Sequence, residues 1–340
     1  MIINLDLKDE LINFENKDDQ YTIPVFIPHK GCPNDCVFCN QKRISGQLED
    51  VKPEDVNNII KKYLGYYTKN KKIEVAFFGG SFTGIDVDLQ KQYLEVASRF
   101  LKAGKIDSIR LSTRPDYIND EVLRMLKEYG VGTIELGVQS LEDKVLELSK
   151  RGHSAKDVEL ASKLILKYNI TLGHQIMIGL PGSTIENEVD TIKKSLAMGP
   201  KQLRIYPVYV IQDSELYLMY KNNAYNPLTI NEAVKRCTAV IKECQKTNVA
   251  IIRLGLQSTN EITASNTNIF GPVSDNFAEY VIAQIIREKI ESCILGKKLG
   301  DELVITVPKK YISVTVGPKK VNKIYFENKY NIKYKVKGEI

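Results

Sequence analysis

Pro28-His29-Lys30-Gly31-Cys32-Pro33-Asn34-Asp35-Cys36-Val37-Phe38-Cys39-Asn40 places three cysteines within eight residues, in a turn-prone loop directly behind the strand candidate Thr22–Ile27. Thiolates at this spacing can wrap one corner of a metal cluster, and three of them leave the fourth iron of a 4Fe–4S cluster without a protein ligand. A structural zinc site calls for four protein ligands. The nearest candidate for a fourth is His29, because Cys237, Cys244 and Cys293 lie far along the chain. Cys237 and Cys244 are seven apart on a helix candidate, as small core residues would be.

Outward from this loop, short β-branched and aromatic runs alternate with amphipathic stretches. Further strand candidates are Ile73–Phe78, Ser108–Thr113, Thr133–Val138, Thr171–Ile178 and Gln202–Tyr209, with a seventh at Val249–Leu254. Helices are expected at Pro53–Tyr66, Asp88–Ala103, Asp120–Tyr129, Ala155–Tyr168, Ile185–Met198 and Asn231–Thr247. One helix between successive strands fits repeated βα units and a parallel sheet. The strands read as nearly continuous apolar runs, as when both sheet faces are covered. In such a fold the chemistry sits at the carboxyl ends of the strands. The Gly-, Ser- and Cys-rich segments Gly31–Cys39, Gly79–Gly84, Arg114-Pro115, Gln139-Ser140 and Gly179–Gly182 all fall there.

The chain of 340 residues has room for one large α/β domain plus an appendage. It has no apolar stretch long enough to span a membrane and no visible secretion signal, so a cytoplasmic protein with no membrane partner is expected. In a reducing compartment thiols serve metals or catalysis more than disulfides. Net charge is +6 but uneven: residues 297–340 hold eleven lysines against four acids, a local +7 on a body that sums to about −1. A basic terminal module points to a polyanion such as RNA, or to a solvated lysine-rich surface. Beyond residue 256, Thr259–Asn276 reads as a connecting loop, Phe277–Leu295 as a helix, and Val304–Val307, Ile312–Val316, Lys323–Glu327 and Ile332–Val336 as short strands. The domain reading is 1–256, with a core over about 20–210, followed by a basic α+β appendage over 257–340.

Cys-x3-Cys-x-aromatic-Cys, with Phe38 in the aromatic slot, resembles the signature of the radical S-adenosylmethionine (SAM) superfamily. The resemblance implies a partial (β/α)6 TIM-like barrel of the radical SAM type with a small α+β C-terminal appendage. It also implies a 4Fe–4S cluster on Cys32, Cys36 and Cys39, with SAM chelated by the open iron. An electron, from a donor such as ferredoxin or flavodoxin, then releases methionine and a 5′-deoxyadenosyl radical that takes hydrogen from a substrate.

The remaining loops carry the cofactor side of that resemblance. Phe77-Phe78-Gly79-Gly80-Ser81 stands where the family's Gly-Gly-Glu segment binds the methionine ammonium, with Ser81 in place of the glutamate. In relatives similar to oxygen-independent coproporphyrinogen dehydrogenase, a Gly-Val-Gln strand end contacts ribose and an arginine twelve residues later pairs with the methionine carboxylate. Gln139 and Arg151 match these positions. A guanidinium is suited to that task because its planar fork fits a carboxylate. Gln175, in Gly173-His174-Gln175, falls on the segment that flanks adenine and touches ribose, and Ser112 and Arg114 are candidates for cofactor or substrate contact. Tyr206 and Tyr209 either line the cavity or pack, and His153 or His174 either moves a proton or is structural.

The segments Phe-Phe-Gly-Gly-Ser-Phe, Ser-Thr-Arg-Pro-Asp, Glu-Leu-Gly-Val-Gln-Ser and Arg-Ile-Tyr-Pro-Val resemble the radical half of the elongator catalytic subunit, which modifies wobble uridine in transfer RNA. This chain spaces its first two cysteines more closely than that subunit, and no acetyltransferase domain is expected in its length. The expected function is therefore a radical SAM enzyme for tRNA modification in an elongator-like manner, with RNA bound through the basic C-terminal region. A radical enzyme acting on a small molecule such as a porphyrinogen, and a zinc-binding nucleic-acid adaptor, remain open as alternatives.

Overall fold

The computed structural model describes residues 1–17, 20–27, 32, 36–39, 51–67, 71–256, 263 and 265–339. His29, most of the cysteine loop and part of the Thr259–Asn276 connection lie outside the described residues.

The chain opens with β1 (Ile2–Asn4) and a short helix α1 (Lys8–Leu11). Five βα units and a sixth strand follow: β2 (Gln20–Ile27), α2 (Pro53–Leu64), β3 (Lys72–Gly79), α3 (Val87–Lys102), β4 (Ser108–Thr113), α4 (Asp120–Glu128), β5 (Val131–Gln139), α5 (Asp143–Leu148) with α6 (Ala155–Lys167), β6 (Thr171–Ile178), α7 (Ile185–Ala197) and β7 (Gln202–Pro207). After β7 come β8 (Val210–Ile211), α8 (Glu215–Lys221), α9 (Ile230–Cys244) and β9 (Ala250–Leu254). The main sheet is wholly parallel, in the order β2-β3-β4-β5-β6-β7-β9. It has seven strands, the seventh candidate Val249–Leu254 pairing with β7 as β9. The predicted strand Gln202–Tyr209 stops at Pro207 and resumes as β8, which pairs instead with β10 (Ile269–Phe270). Among the described residues no helix is long and apolar enough to cross a membrane.

One face of the sheet carries Ile73, Val75, Phe77, Ile109, Leu111, Ile134, Leu136 and Leu172, which form a single core with the covering helices. Several of those helices start on the local cue of a capping box, as at Ser154 with Asp157 and Thr229 with Glu232. The opposite face departs from the expectation of apolar strands covered on both sides. It carries Glu74, Arg110, Glu135 and Arg204, and the sheet curls around them so far that the Arg204 guanidinium of β7 lies 5.0 Å from the Phe78 ring of β3. A flat sheet would hold those strands far apart; this one is a half-barrel with a polar interior.

The appendage is built differently from its sequence expectation. α10 (Phe277–Ile294) packs Val281 and Ile285 against α9, and Ile286, Ile290 and Ile294 against β11 (Glu302–Pro308). Ile312–Val316 and Lys323–Glu327, expected as strands, are the helices α11 (Ile312–Val316) and α12 (Val321–Tyr330). The β-branched run of α11 is overridden by its tertiary setting. Thr315 turns its hydroxyl back to the Tyr311 carbonyl at 2.7 Å, and its own carbonyl accepts from Asn322 at 3.2 Å. In α12, Phe326 stacks on Tyr330 four residues on and on Tyr334 of β12 (Lys333–Glu339). β1 lies parallel to β11, which is parallel to β12 in turn, and Leu5, Leu7 and Leu11 join the core of this module.

Candidate functional site at the strand-end rim

The carboxyl ends of β2 to β6 lie along one rim, as parallel strands require, and the expected site residues gather there. β3 ends at Gly79, whose φ of 107° suits glycine far better than any other residue and whose Cβ would stand 2.8 Å from the Ile27 carbonyl of β2. Gly80 is buried behind it. Ser81 is buried and accepts from the Arg114 backbone N–H at 3.2 Å, with Thr113 Oγ1 2.8 Å away. Ser81 thus ties the β3 loop to the β4 loop. Ser112 is half-buried and stands in register with Glu135.

Arg151 has the most defined environment. It sits in a turn between α5 and α6, flanked by Lys150 at φ 50° and Gly152 at φ 75°, with its N–H donating to the Leu146 carbonyl at 2.9 Å. The next helix begins immediately, on the Ser154–Asp157 cap. The guanidinium is buried; Nη2 donates to the Gly137 carbonyl at 2.8 Å and Nη1 to Cys36 Sγ at 3.5 Å. Nε is buried and has no partner among the described residues. Gly137 makes the approach possible, since a Cβ there would lie 2.6 Å from Arg151 Nη2.

Arg114 is buried beneath this group. Its Nε and Nη2 donate to the Asp116 carboxylate, and its Nη1 donates to the Arg151 carbonyl at 2.8 Å. Burial opposes its charge, but the pairing with Asp116 and the nearness of Cys36 and Cys32 outweigh that and raise its pKa. Arg114 therefore acts on Arg151 and Asp116 first, a supporting position that its strand-end location alone did not reveal.

Gln139 closes β5 at φ 66°, a left-handed backbone in a residue that rarely adopts one. Its Oε1 accepts from Gln175 Nε2 on β6 at 3.2 Å, so the two amides form one polar pair across adjacent strand ends. Of the cysteine loop, Cys36 is buried and the Cys39 N–H donates to its carbonyl at 2.9 Å. Val37 is pinned on both sides, to Ser149 at 3.2 Å and Leu216 at 2.7 Å, and Phe38 packs into the apolar cluster of Leu180 and Val208. Among the described residues no three His, Cys, Asp or Glu side chains are grouped for a single metal ion; a cluster spreads its thiolates wider than one ion does.

The histidines divide. His174 faces outward, fully buried between Ser162 Oγ at 3.0 Å and Ser195 Oγ at 2.8 Å, and burial pushes its pKa down to about 3. It is a neutral pin joining β6 to α6 and α7. His153 lies beside the site, its Nε2 against the Val138 carbonyl at 3.2 Å; burial, then Arg151 and Arg114, push it down to about 3 as well. Tyr209 is buried, whereas Tyr206 is half-buried with its hydroxyl 3.3 Å from Arg204.

Sequence reasoning missed the interior ladder. Arg110 of β4 reaches Glu74 of β3 at 2.7 Å and Glu135 of β5 at 3.1 Å, and Glu135 reaches Arg204 of β7 at 2.5 Å. The last contact passes over β6 at Gly173, where a Cβ would lie 3.1 Å from Glu135 Cγ. The available signal was a single charge at the centre of each apolar strand.

The Radical SAM superfamily model matches residues 26–194, and the Radical_SAM C-terminal domain model matches residues 200–287. A tRNA uridine(34) acetyltransferase of Methanocaldococcus infernus is 30% identical over 184 residues, 48% of this chain and 34% of that protein. The chain thus matches about a third of the length of that relative. The heme chaperone HemW of Bacillus subtilis is 28% identical over 262 residues, 71% of this chain and 66% of that one. Among solved structures, the archaeal Methanocaldococcus infernus Elp3 with an N-terminal deletion superposes with a TM-score of 0.62 at 23% identity, covering 80% of this chain and 63% of that chain, a likeness of fold.

Proposed function

Because the chain belongs to the radical SAM superfamily, we propose that it is an elongator-like enzyme that cleaves SAM reductively and modifies RNA, with transfer RNA as substrate. The observation that carries the reading is Arg151, a buried guanidinium held between a cysteine sulfur and a strand-end carbonyl, with its Nε–H unpartnered among the described residues. An unsatisfied buried N–H is costly, and a carboxylate arriving there would satisfy it.

The residues present fit the group that the superfamily implies. Cys32, Cys36 and Cys39 would hold a 4Fe–4S cluster with one iron left for SAM. Bound together, cluster and SAM supply one-electron cleavage of a sulfonium and hydrogen abstraction from a substrate. Arg151 orients the methionine carboxylate, and Arg114 and Gly137 set where its fork lies. Gly79 and Gly80 keep side chains out of the ammonium's way, with Ser81 bracing the loop where the family has a carboxylate. Gln139 and Gln175 present amides to the ribose, and Phe38 closes the apolar side.

Two observations support RNA as substrate. The relatives that match over the barrel include proteins named for tRNA uridine(34), and the appendage presents exposed Lys333, Lys335 and Lys337 on alternate positions of the edge strand β12. Lysines in such a row can follow a phosphate backbone.

The test has two arms. Anaerobically reconstituted protein, reduced with SAM, is expected to release 5′-deoxyadenosine and methionine; none overturns the radical reading. Transfer RNA from cells lacking the protein is expected to lose a modified nucleoside; an unchanged nucleoside profile, with cofactor cleavage intact, moves the substrate to a small molecule such as a porphyrinogen.

A further inference from the structure

Among the described residues, the barrel interior holds the carboxylates of Glu74 and Glu135 and the guanidiniums of Arg110, Arg204 and Arg253. Glu74 accepts from Arg110 at 2.7 Å and from Ser108 at 3.2 Å, while Glu135 divides its oxygens between Arg110 at 3.1 Å and Arg204 at 2.5 Å. Both acids are fully engaged. The third cation is Arg253, next to last in β9 and paired with Arg204 at the point where the β7–β9 register shifts by one residue. It is half-buried, and no hydrogen bond or ion pair reaches its guanidinium among the described residues. Burial pushes its pKa below the usual arginine value, and Arg204 acts in the same direction.

An unpaired, partly desolvated cation beside another cation is an unfavourable arrangement that folding alone does not call for. Its location gives it a use. Gln175, Arg204 and Arg253 form one continuous row in register across β6, β7 and β9, and Gln175 is bonded to Gln139 at the cofactor rim. The row therefore begins at the expected ribose position and ends at a free guanidinium on the same concave face, with the Tyr206 hydroxyl near it.

We propose that Arg253, with Tyr206 beside it, is the anion subsite of the substrate cavity and takes a phosphate group of the nucleotide being modified. The choice of a phosphate rests on the RNA reading above; the presence of an anion site does not. A guanidinium fork suits a phosphate bidentately, and Arg204 cannot serve the same end because Glu135 already holds it.

The test uses reconstituted holoprotein and two probes, uridine and uridine 5′-monophosphate, titrated calorimetrically into wild type and Arg253→Gln. Wild type is expected to favour the monophosphate by about tenfold or more, and Arg253→Gln to erase that preference. Thermal unfolding supplies the structural control. Arg253→Gln is expected to keep or raise the unfolding temperature, since it removes a cation from beside Arg204, whereas Arg204→Gln is expected to lower it by leaving one Glu135 oxygen without its cation. The subsite is overturned if wild type shows no preference for the monophosphate, if the preference survives Arg253→Gln, or if Arg253→Gln destabilises as Arg204→Gln does. A preference that Arg253→Gln erases, in a protein whose absence leaves transfer RNA unchanged, would uphold the subsite and overturn the RNA reading alone.

Discussion

Arg151 Nη1 lies 3.5 Å from Cys36 Sγ, joining two residues 115 apart in the chain at the mouth of the half-barrel. The same guanidinium donates to the Gly137 carbonyl, and the backbone carbonyl of Arg151 accepts from Arg114. Arg151→Ala is accordingly expected to weaken SAM binding at least about tenfold, the loss of a charge-assisted pair. Iron and sulfide content should remain at the wild-type level. Equilibrium binding read beside iron analysis checks this, and wild-type SAM affinity in the variant would remove Arg151 from the site.

Gly137→Ala tests the same fork from the strand side. The new methyl group would meet Arg151 Nη2 at 2.6 Å, and the flexible end of Arg151 can swing away, so the fold should survive. The expected outcome is a SAM affinity reduced about as much as in Arg151→Ala with an unfolding midpoint close to wild type. A large stability loss with unchanged affinity would show that the contact is packing alone.

Glu135 is the hub of the interior ladder, bonded to Arg110 and Arg204. Glu135→Gln is expected to cost about 3–5 kcal/mol, the usual loss when a buried pair is broken from one side. Denaturant unfolding of wild type and variant measures it. A loss below about 1 kcal/mol would mean that water reaches the ladder freely.

The outward histidine gives a pH signature. Burial holds His174 at about 3, against about 6.5 in an unfolded chain. At neutral pH both forms are uncharged. As pH falls below about 6.5 the unfolded chain takes a proton that the folded one refuses, so stability declines by up to about 1.4 kcal/mol per unit until pH nears the folded value. Urea midpoints at pH 7, 6 and 5 should show this slope, with His153 adding its own in the same direction. His174→Gln should reduce it to the part that His153 contributes, and an unchanged slope would acquit His174.

Removing the basic tail would be a poor test of RNA binding, because β11 is the partner of β1 and covers Ile286, Ile290 and Ile294. Charge reversal is cleaner. Lys333→Glu with Lys337→Glu alters two exposed positions of β12 and leaves Lys335 with its Glu302 partner at 2.6 Å. The logarithmic salt slope of transfer RNA binding is expected to fall by roughly two. An unchanged slope would move the RNA to another surface.

The rim was legible because its chemistry is written in unusual residues. Clustered cysteines, paired glycines and a Gly-Val-Gln strand end stand out wherever they fall, and parallel strands guarantee that they meet. The interior was hidden for the opposite reason. Arg110, Glu135 and Arg204 are single charges in strands otherwise apolar, and nothing local says which face turns inward. That Glu135 reaches past β6 depends on Gly173, a residue on a different strand. In the appendage, β-branched Ile312-Ser-Val-Thr-Val316 reads as strand by composition, and only the packing of α10 and β12 around it decides for helix.

The pairing of β1 with β11 also sets an order of events. Among the described residues Ile2 has no sheet partner until Val304 exists, so during synthesis the first strand must wait while about three hundred further residues emerge. Every parallel contact of the half-barrel closes over a shorter span of chain than that one. The small module can therefore assemble only after the strands of the half-barrel have emerged, and a ribosome stalled short of β11 would display β1 as an unsatisfied edge.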